Sequence, residues 1–393
     1  MTFALSSEHE TFRRSVREFA EGEVAPHVAK WDKDHHFPID LVKKMGELGL
    51  FGLTAPEEFG GADGDFTSLC VAIEELGRVD QSIGITLEAG VGLGITPILE
   101  YGTQQQKERW LPDLVAGRTL AGFGLTEPGA GSDASATKTK ADLDGDEWVV
   151  NGSKQFITNS GSDITSLVTV TARTGTRPGS DGRAGSPEIS AIILPAGTPG
   201  FVAEAPYDKL GWHISDTHPL SFTDVRVPAD HLLGERGRGY AQFLATLDDG
   251  RVAIASLAVG CIQACLDLCV QYAGERTTFG VPIGTKQGVA FQVADLAVMA
   301  QAGRALVYQA AAMKDGNASS KEFKQAASIA KLYTSEAAVT ATRIATQVFG
   351  GYGFMEEYPV ARFYRDAKIL EIGEGTSEVQ RMLIARGLGL PVE

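Results

Sequence analysis

Between residues 123 and 237 the chain carries four short β-rich runs, at 147–150, 166–171, 189–194 and 220–227, with no helix-length segment between any two of them. Turn residues such as Asp144-Gly145-Asp146 and Thr198-Pro199-Gly200 separate the runs. Parallel neighbours need a crossover of about a dozen residues or more, usually helical. The spacing therefore predicts an antiparallel sheet or barrel and disfavours a parallel nucleotide-binding sheet. On either side the pattern is helical. Residues 1–122 hold helix-length segments separated by breaks at Phe59-Gly60-Gly61-Ala62 and Thr96-Pro97. Leu69, Ile73 and Leu76 recur at helical spacing, and residues 104–114 read as a surface helix around Trp110 and Leu111. Residues 238–393 hold four Ala-rich segments, roughly 238–274, 285–315, 319–349 and 377–387, patterned as in an antiparallel bundle. The expected fold class is α+β and multidomain. It has an N-terminal α-helical domain (1–122), a middle antiparallel β-barrel or sandwich domain (123–237) and a C-terminal antiparallel four-helix bundle (238–393). The stretch 174–186, rich in Gly, Ser, Pro and Arg, reads as an exposed loop.

Composition narrows the function classes. A net charge of −15 disfavours nucleic acid and anionic membrane surfaces as partners, since both need basic patches. No apolar run approaches the roughly 20 residues that span a bilayer, so no membrane association is expected. The N-terminal stretch has charges throughout and no apolar signal core, and reads as an amphipathic helix. Four cysteines in 393 residues are not a disulfide framework, so a cytoplasmic location is expected. Cys261, Cys265 and Cys269 lie along one side of a helix. Without a nearby His they read as core packing, and no metal site is expected.

Three motifs carry candidate chemistry. In residues 372–381, Glu374 stands between Gly373 and Gly375, just before Ser377 and Gln380, which read as a capping box. Val379, Leu383 and Ile384 continue at helical spacing. A carboxylate held where the chain turns into a helix can present a base to a cleft. Taken alone, the stretch reads more simply as a glycine-rich loop with a surface Glu. Residues 122–133, GFGLTEPGAGSD, fail both the dinucleotide fingerprint and the P-loop pattern. They offer a turn at Glu127-Pro128-Gly129 and the hydroxyls of Thr126 and Ser132, which suit the edge of a planar heterocycle or a purely structural turn. Residues 154–161 place Phe156 and Thr158 on one side of a strand-like segment. That pairing suits stacking and hydrogen bonding to a ring, or simply a core-facing Phe.

Together these motifs resemble the acyl-CoA dehydrogenases. The matching runs are LTEPGAGSD (125–133), KQFITN (154–159), KLGWHISDT (209–217), VRVPADHLLGE (225–235), LDDGR (247–251), ERTTFGVPI (275–283), QVFGGYGF (347–354) and YRDAKILEIGEGTSEVQR (364–381). They occur in family order and spacing over nearly the whole chain. The resemblance implies FAD-dependent α,β-dehydrogenation of an acyl-CoA thioester to the trans-2-enoyl-CoA, within fatty acid β-oxidation. A carboxylate takes the α-proton, and the hydride goes to the flavin because side chains cannot accept one. Electrons then pass to an electron-transfer flavoprotein. The implied base is Glu374. Some members carry their base at the position of Gly250, which cannot do acid–base work.

By matched position, Phe123, Leu125, Thr126, Ser132, Phe156 and Thr158 would meet the flavin, with Thr376 and Glu378 beside its nucleotide part. Arg276, Phe279, Gln287, Gln347, Gly350 and Gly351 match positions that reach FAD across a subunit interface, which implies a homotetramer built as a dimer of dimers. Ser132, Asp248 and Arg251 match positions near CoA. Gly373 and Gly375 border the acyl pocket, Gly375 keeping backbone approach open to the thioester. The chain departs from the family pattern at three points, and Glu88 is a further candidate. Phe156 stands where many members have Trp. Gly373 stands where many have Tyr, which implies room for a branched or bulky acyl group. His218-Pro219 stands where Arg-Glu is common. Glu88, in a helix expected to line the pocket floor, reads first as a solvated helix face. An acyl-CoA oxidase-like enzyme, or a dehydrogenase of acyl carrier protein thioesters on the same fold, are the alternatives. Glu374 disfavours a flavin monooxygenase, and together with the acidic net charge it disfavours a DNA-binding relative.

Overall fold

A computed structural model describes residues 5–178 and 185–392. The N-terminal region is a cluster of helices: α1 (Ser7–Phe19), α2 (Val28–Asp34), α3 (Ile39–Glu47), α4 (Phe66–Val79), α5 (Gln81–Glu88), α6 (Thr96–Tyr101) and α7 (Gln104–Val115). Ser6, Asp65, Asp80 and Thr103 cap α1, α4, α5 and α7 by accepting a first-turn backbone N–H. The expected break at Thr96-Pro97 does not occur. A π-helical turn, Ala89–Ile95, joins α5 to α6, and Pro97 falls in the first turn of α6.

The middle region holds β1 (Leu120–Gly124), β2 (Lys140–Asp144), β3 (Glu147–Thr158), β4 (Thr165–Thr176), β5 (Pro187–Pro195), β6 (Phe201–Ala203), β7 (Thr217–Pro228) and β8 (Leu232–Leu233). The sheet order is β6-β7-β3-β2-β4-β5-β8, with β1 added against β4. The expectation of a purely antiparallel sheet needs correction. β1 runs parallel to β4, and β2 meets β4 in parallel at Lys140 and Arg173. The crossover between β1 and β4 is made by the β2–β3 hairpin, so no helix is required. The expected exposed loop 174–186 is also partly overturned. Residues 174–176 continue β4 in pairing with β5, while 179–184 lie outside the described residues. Trp148, Val150, Ile157, Val170, Ile192 and Phe222 are buried together and form the sheet's own core.

The C-terminal region comprises α8 (Gly239–Glu275), a small ribbon of β9 (Thr277–Thr278) and β10 (Val281–Pro282), α9 (Gln287–Asp315), α10 (Ser320–Phe349), α11 (Pro359–Ala367) and α12 (Ser377–Gly387). α8, α9 and α10 pack on one another, α12 packs on α10, and α8 leans on α4 of the N-terminal region. One large core therefore spans both helical regions and touches the sheet through Phe123, Leu167 and Ile193. Cys261, Cys265 and Cys269 are buried within it, as packing residues. The expectation of no membrane-length apolar run also needs correction. Gln81–Tyr101 and Gly239–Glu275 are long and apolar enough by length and composition to cross a membrane, but 83% and 78% of those windows are buried inside the protein. Helices enclosed on all sides become apolar all round.

Candidate active site

Glu374 adopts a left-handed backbone, φ +53, and Gly375 follows at φ +92. For a glutamate this conformation costs about 1–2 kcal/mol, so the surroundings must hold it. The expected Ser377–Gln380 capping box does not form. The cap is Thr376, whose hydroxyl accepts from the Val379 N–H at 3.3 Å. Gln380 lies one residue too late for a capping box and is fully buried. Its amide instead donates back to the carbonyls of Glu374 (3.3 Å) and Gly375 (3.0 Å). From α10, Lys331 Nζ donates to the Gly375 carbonyl at 2.7 Å. These bonds hold the strained turn.

Both carboxyl oxygens of Glu374 are buried with no hydrogen-bond partner among the described residues. Burial lifts its pKa to about 7, against the pull of Glu88, Lys331 and Arg251 in the other direction. The carboxyl fills the space that glycine leaves at 250, since a methyl group there would overlap it. Positions 250 and 374 thus address one point in space from two elements.

Glu88 is not a solvated helix face. It is fully buried at the end of α5 and faces Glu374. Burial, then the neighbouring charge, raises its carboxyl well above the usual range. Sequence periodicity missed it because α5 is buried along its whole length, and no polar face marks where a buried Glu points. Arg251 donates to Asp248, and both are buried in α8 beside this pair. Lys324 adds a second cation at 3.3 Å from Asp248. Gly373 has room for a side chain, with Ile369 O at 3.5 Å from an added methyl.

The flavin-facing candidates lie on β1 and the loop after it and on the end of β3, joined by the Gln155 N–H, which donates to the Thr126 carbonyl at 2.8 Å. Pairing of β3 with β7 slips between Lys154 and Ile157, and Phe156 lies in that irregularity at φ +61. The slip turns its ring outward, 62% exposed and 5.1 Å from the Tyr207 ring. Thr126 and Thr158 are half-buried and Ser132 is exposed. Phe123 and Leu125 are buried, Phe123 stacking on Phe243 at 3.9 Å, so these two offer a ligand their backbone. An aromatic face beside hydroxyls and free loop backbone fits a flavin ring.

Sequence reasoning missed the clamp behind these loops. Lys154 is fully buried, and its Nζ donates to Glu127 Oε1 (2.8 Å), Leu125 O (3.2 Å) and Thr171 Oγ1 (3.1 Å). Burial opposes the Glu127 charge, but Lys154, Thr137 and the Lys138 N–H outweigh it and hold the carboxyl near 2. Burial pushes Lys154 down to about 8. His218 also gains an account. Its ring bonds Asp216 (2.7 Å) and the Glu204 carbonyl (2.6 Å), and Asp216 accepts from the Gly161 N–H (2.9 Å). It braces the loop that follows Phe156.

Six candidates lie elsewhere. Arg276, Gly350 and Gly351 line a cleft of about 520 Å³ with Tyr272, Phe349 and Tyr352. The Arg276 guanidinium sits 5.5 Å from the centre of the Tyr352 ring. Phe279 is 96% exposed, and Gln287 and Gln347 are exposed. At 1.5 Å per residue, Arg276 is roughly 40 Å along α8 from Gly250. One copy of the chain does not bring these residues to Glu374. Thr376 and Glu378 begin α12 directly beside the Glu374 turn.

Comparison with known proteins follows this layout. Residues 6–118, 122–225 and 237–389 match the N-terminal, middle and C-terminal domains of acyl-CoA dehydrogenases. The probable acyl-CoA dehydrogenase YngJ of Bacillus subtilis is 47% identical, over 99% of this chain and 100% of its own length. Butyryl-CoA dehydrogenase from Megasphaera elsdenii superposes with a TM-score of 0.92 at 41% identity, covering 99% of this chain and 100% of that one. A chain from a structure of the electron transferring flavoprotein of Acidaminococcus fermentans, from work on flavin-based electron bifurcation, superposes with a TM-score of 0.93 at 42% identity. It covers 99% of each chain.

Proposed function

The chain belongs to the acyl-CoA dehydrogenase family, and on that premise we propose that Glu374 takes the α-proton of a short acyl-CoA thioester during its oxidation to the trans-2-enoyl-CoA. The buried, unpartnered Glu374 carboxyl, seated in the space left by Gly250, carries this reading. FAD, held here, would supply the acceptor for the β-carbon hydride, chemistry that no side chain supplies. This chain's residues do the remaining work. Thr126, Phe156, Thr158 and Ser132 bind and orient the cofactor, with Phe123 and Leu125 contributing backbone. Lys331 and Gln380 hold the Glu374 turn, so the carboxylate meets the substrate with its backbone already set. A base with a pKa of about 7 is ionised enough at neutral pH to act and basic enough to accept a carbon-bound proton. Asp248 and Arg251 lie on the CoA side, and electrons leave to an electron-transfer flavoprotein.

Butyryl-CoA dehydrogenase among the similar structures supports a short acyl group. The open space at Gly373 supports tolerance of branching beside the α-carbon. The roughly 40 Å between Gly250 and Arg276 supports a cofactor site completed by a second subunit, within a dimer or a dimer of dimers. Buried cysteines without disulfide bonds support a reducing, cytoplasmic setting.

The test is anaerobic. FAD-loaded protein mixed with straight and branched acyl-CoAs, and with acyl carrier protein thioesters, should bleach its flavin with short acyl-CoAs. Glu374→Gln should keep FAD and lose turnover by about 10³-fold or more. A Glu374→Gln enzyme with wild-type rates would remove this residue from the role of base.

A further inference from the structure

All four carboxyl oxygens of Glu88 and Glu374 are buried, and none has a hydrogen-bond partner among the described residues when both groups are ionised. Glu88 is fully enclosed at the last residue of α5, ahead of the π-helical turn. The cations that face the pair each bond another group. Lys331 of α10 donates to the Gly375 carbonyl, and Arg251 of α8 donates to Asp248. Glu371 and Glu378, on the α12 side, bear on Lys331. Two carboxylates here would repel in a medium of low dielectric and leave four acceptors unmet. A single proton removes the repulsion and joins two of the four oxygens in one hydrogen bond, because a protonated carboxyl donates to its neighbour.

We propose that Glu88 is a positioning residue: it keeps a proton and donates it in a hydrogen bond to the Glu374 carboxylate, holding the base beside Gly250 until an acyl chain parts the pair. This rests on Glu374 being the α-proton base. Glu88 is then no second base, and the pair carries one negative charge, on Glu374. The electrostatics agree. Burial and the Glu374 charge both drive Glu88 far above the carboxylate range, while Glu374 stays near 7 because Glu88, Lys331 and Arg251 pull against its burial. The glycine at 92 lets the pair part. A methyl there would stand 3.2 Å from Glu88 Oε1, so glycine leaves that carboxyl uncrowded.

The sign of the effect is fixed. A hydrogen bond to the ionised form lowers the pKa of an acid, so losing the donor raises it. The experiment compares FAD-loaded wild type, Glu88→Leu and Glu88→Gln through the pH dependence of kcat/KM with butyryl-CoA, which reports ionisations of the free enzyme. Glu88→Leu should move the acid limb up by about one to two pH units. Glu88→Gln, which keeps an N–H donor, should stay near wild type. An unmoved limb in Glu88→Leu overturns the proposal. So does a downward move in Glu88→Gln, which would mean that Glu88 is ionised. Infrared difference spectra at neutral pH supply a readout independent of turnover. Wild type minus Glu88→Gln should show the carbonyl stretch of a protonated carboxylic acid, and its absence also overturns the proposal. If Glu88→Leu fails to fold, the Gln profile and the infrared band decide. Failure of the base reading looks different: Glu374→Gln would stay active while the Glu88 band persisted.

Discussion

The Glu374 carboxyl and an added methyl at Gly250 would occupy the same space, so these two positions exclude each other. Gly250→Ala should therefore displace the base without touching its chemistry. We expect kcat to fall about 10- to 100-fold, the loss typical of a misplaced reacting group, with FAD content unchanged. Steady-state kinetics beside a flavin spectrum checks this. An Ala variant with full activity would mean that the carboxyl does not work from its place against Gly250. Protonation matters at the same scale. The proposed base must act as the carboxylate, and burial raises the Glu374 pKa to about 7. Activity should rise with pH through that value and fall away below it.

At the scale of elements, the loop following β1 is joined to β3 by an ion pair. Lys154 and Glu127 are buried side chains 2.8 Å apart. Removing one partner leaves the other charge buried alone, so Lys154→Met should cost about 3–5 kcal/mol. It should show as a lower thermal midpoint and weaker FAD retention. An unchanged midpoint would deny the clamp its role. The pH dependence has a definite sign. Glu127 is held near 2 against an ordinary value of 4.5. Its contribution to stability is present above that ordinary value and is lost as pH falls toward 2. A second element-scale feature is the start of α12. There Gln380 bonds two carbonyls of the loop and not the helix's own N-terminus, which frees the turn to hold Glu374 in a left-handed conformation.

At the scale of the whole molecule, the cleft around Arg276 and Tyr352 and the nearly bare ring of Phe279 lie far from Glu374 in one chain. A second subunit bringing them to the cofactor predicts that oligomerisation and FAD binding are linked. Phe279→Asp should shift the protein toward monomer and release FAD, read by light scattering and by flavin content after gel filtration. A wild-type monomer that holds FAD tightly would sink this reading. Much of the molecule is legible in the chain. The helical, β, helical order follows from hydrophobic periodicity and from the lack of crossovers between strands, because both are local patterns. Glu374 stands out because its flanking glycines and the following helix start lie within ten residues. Other features are set by segments far apart in sequence. Glu88 reads as solvated until α5 is enclosed by its neighbours. Phe156 reads as an ordinary strand residue until the pairing of β3 with β7 slips and turns it outward. The Lys154–Glu127 pair needs two segments folded onto each other. Periodicity and turn chemistry act between near neighbours, so the sequence alone determined the elements and their order. Burial, pKa and carboxyl–carboxyl contact depend on what surrounds a side chain, and only the tertiary structure decided that Glu374 has an acidic partner.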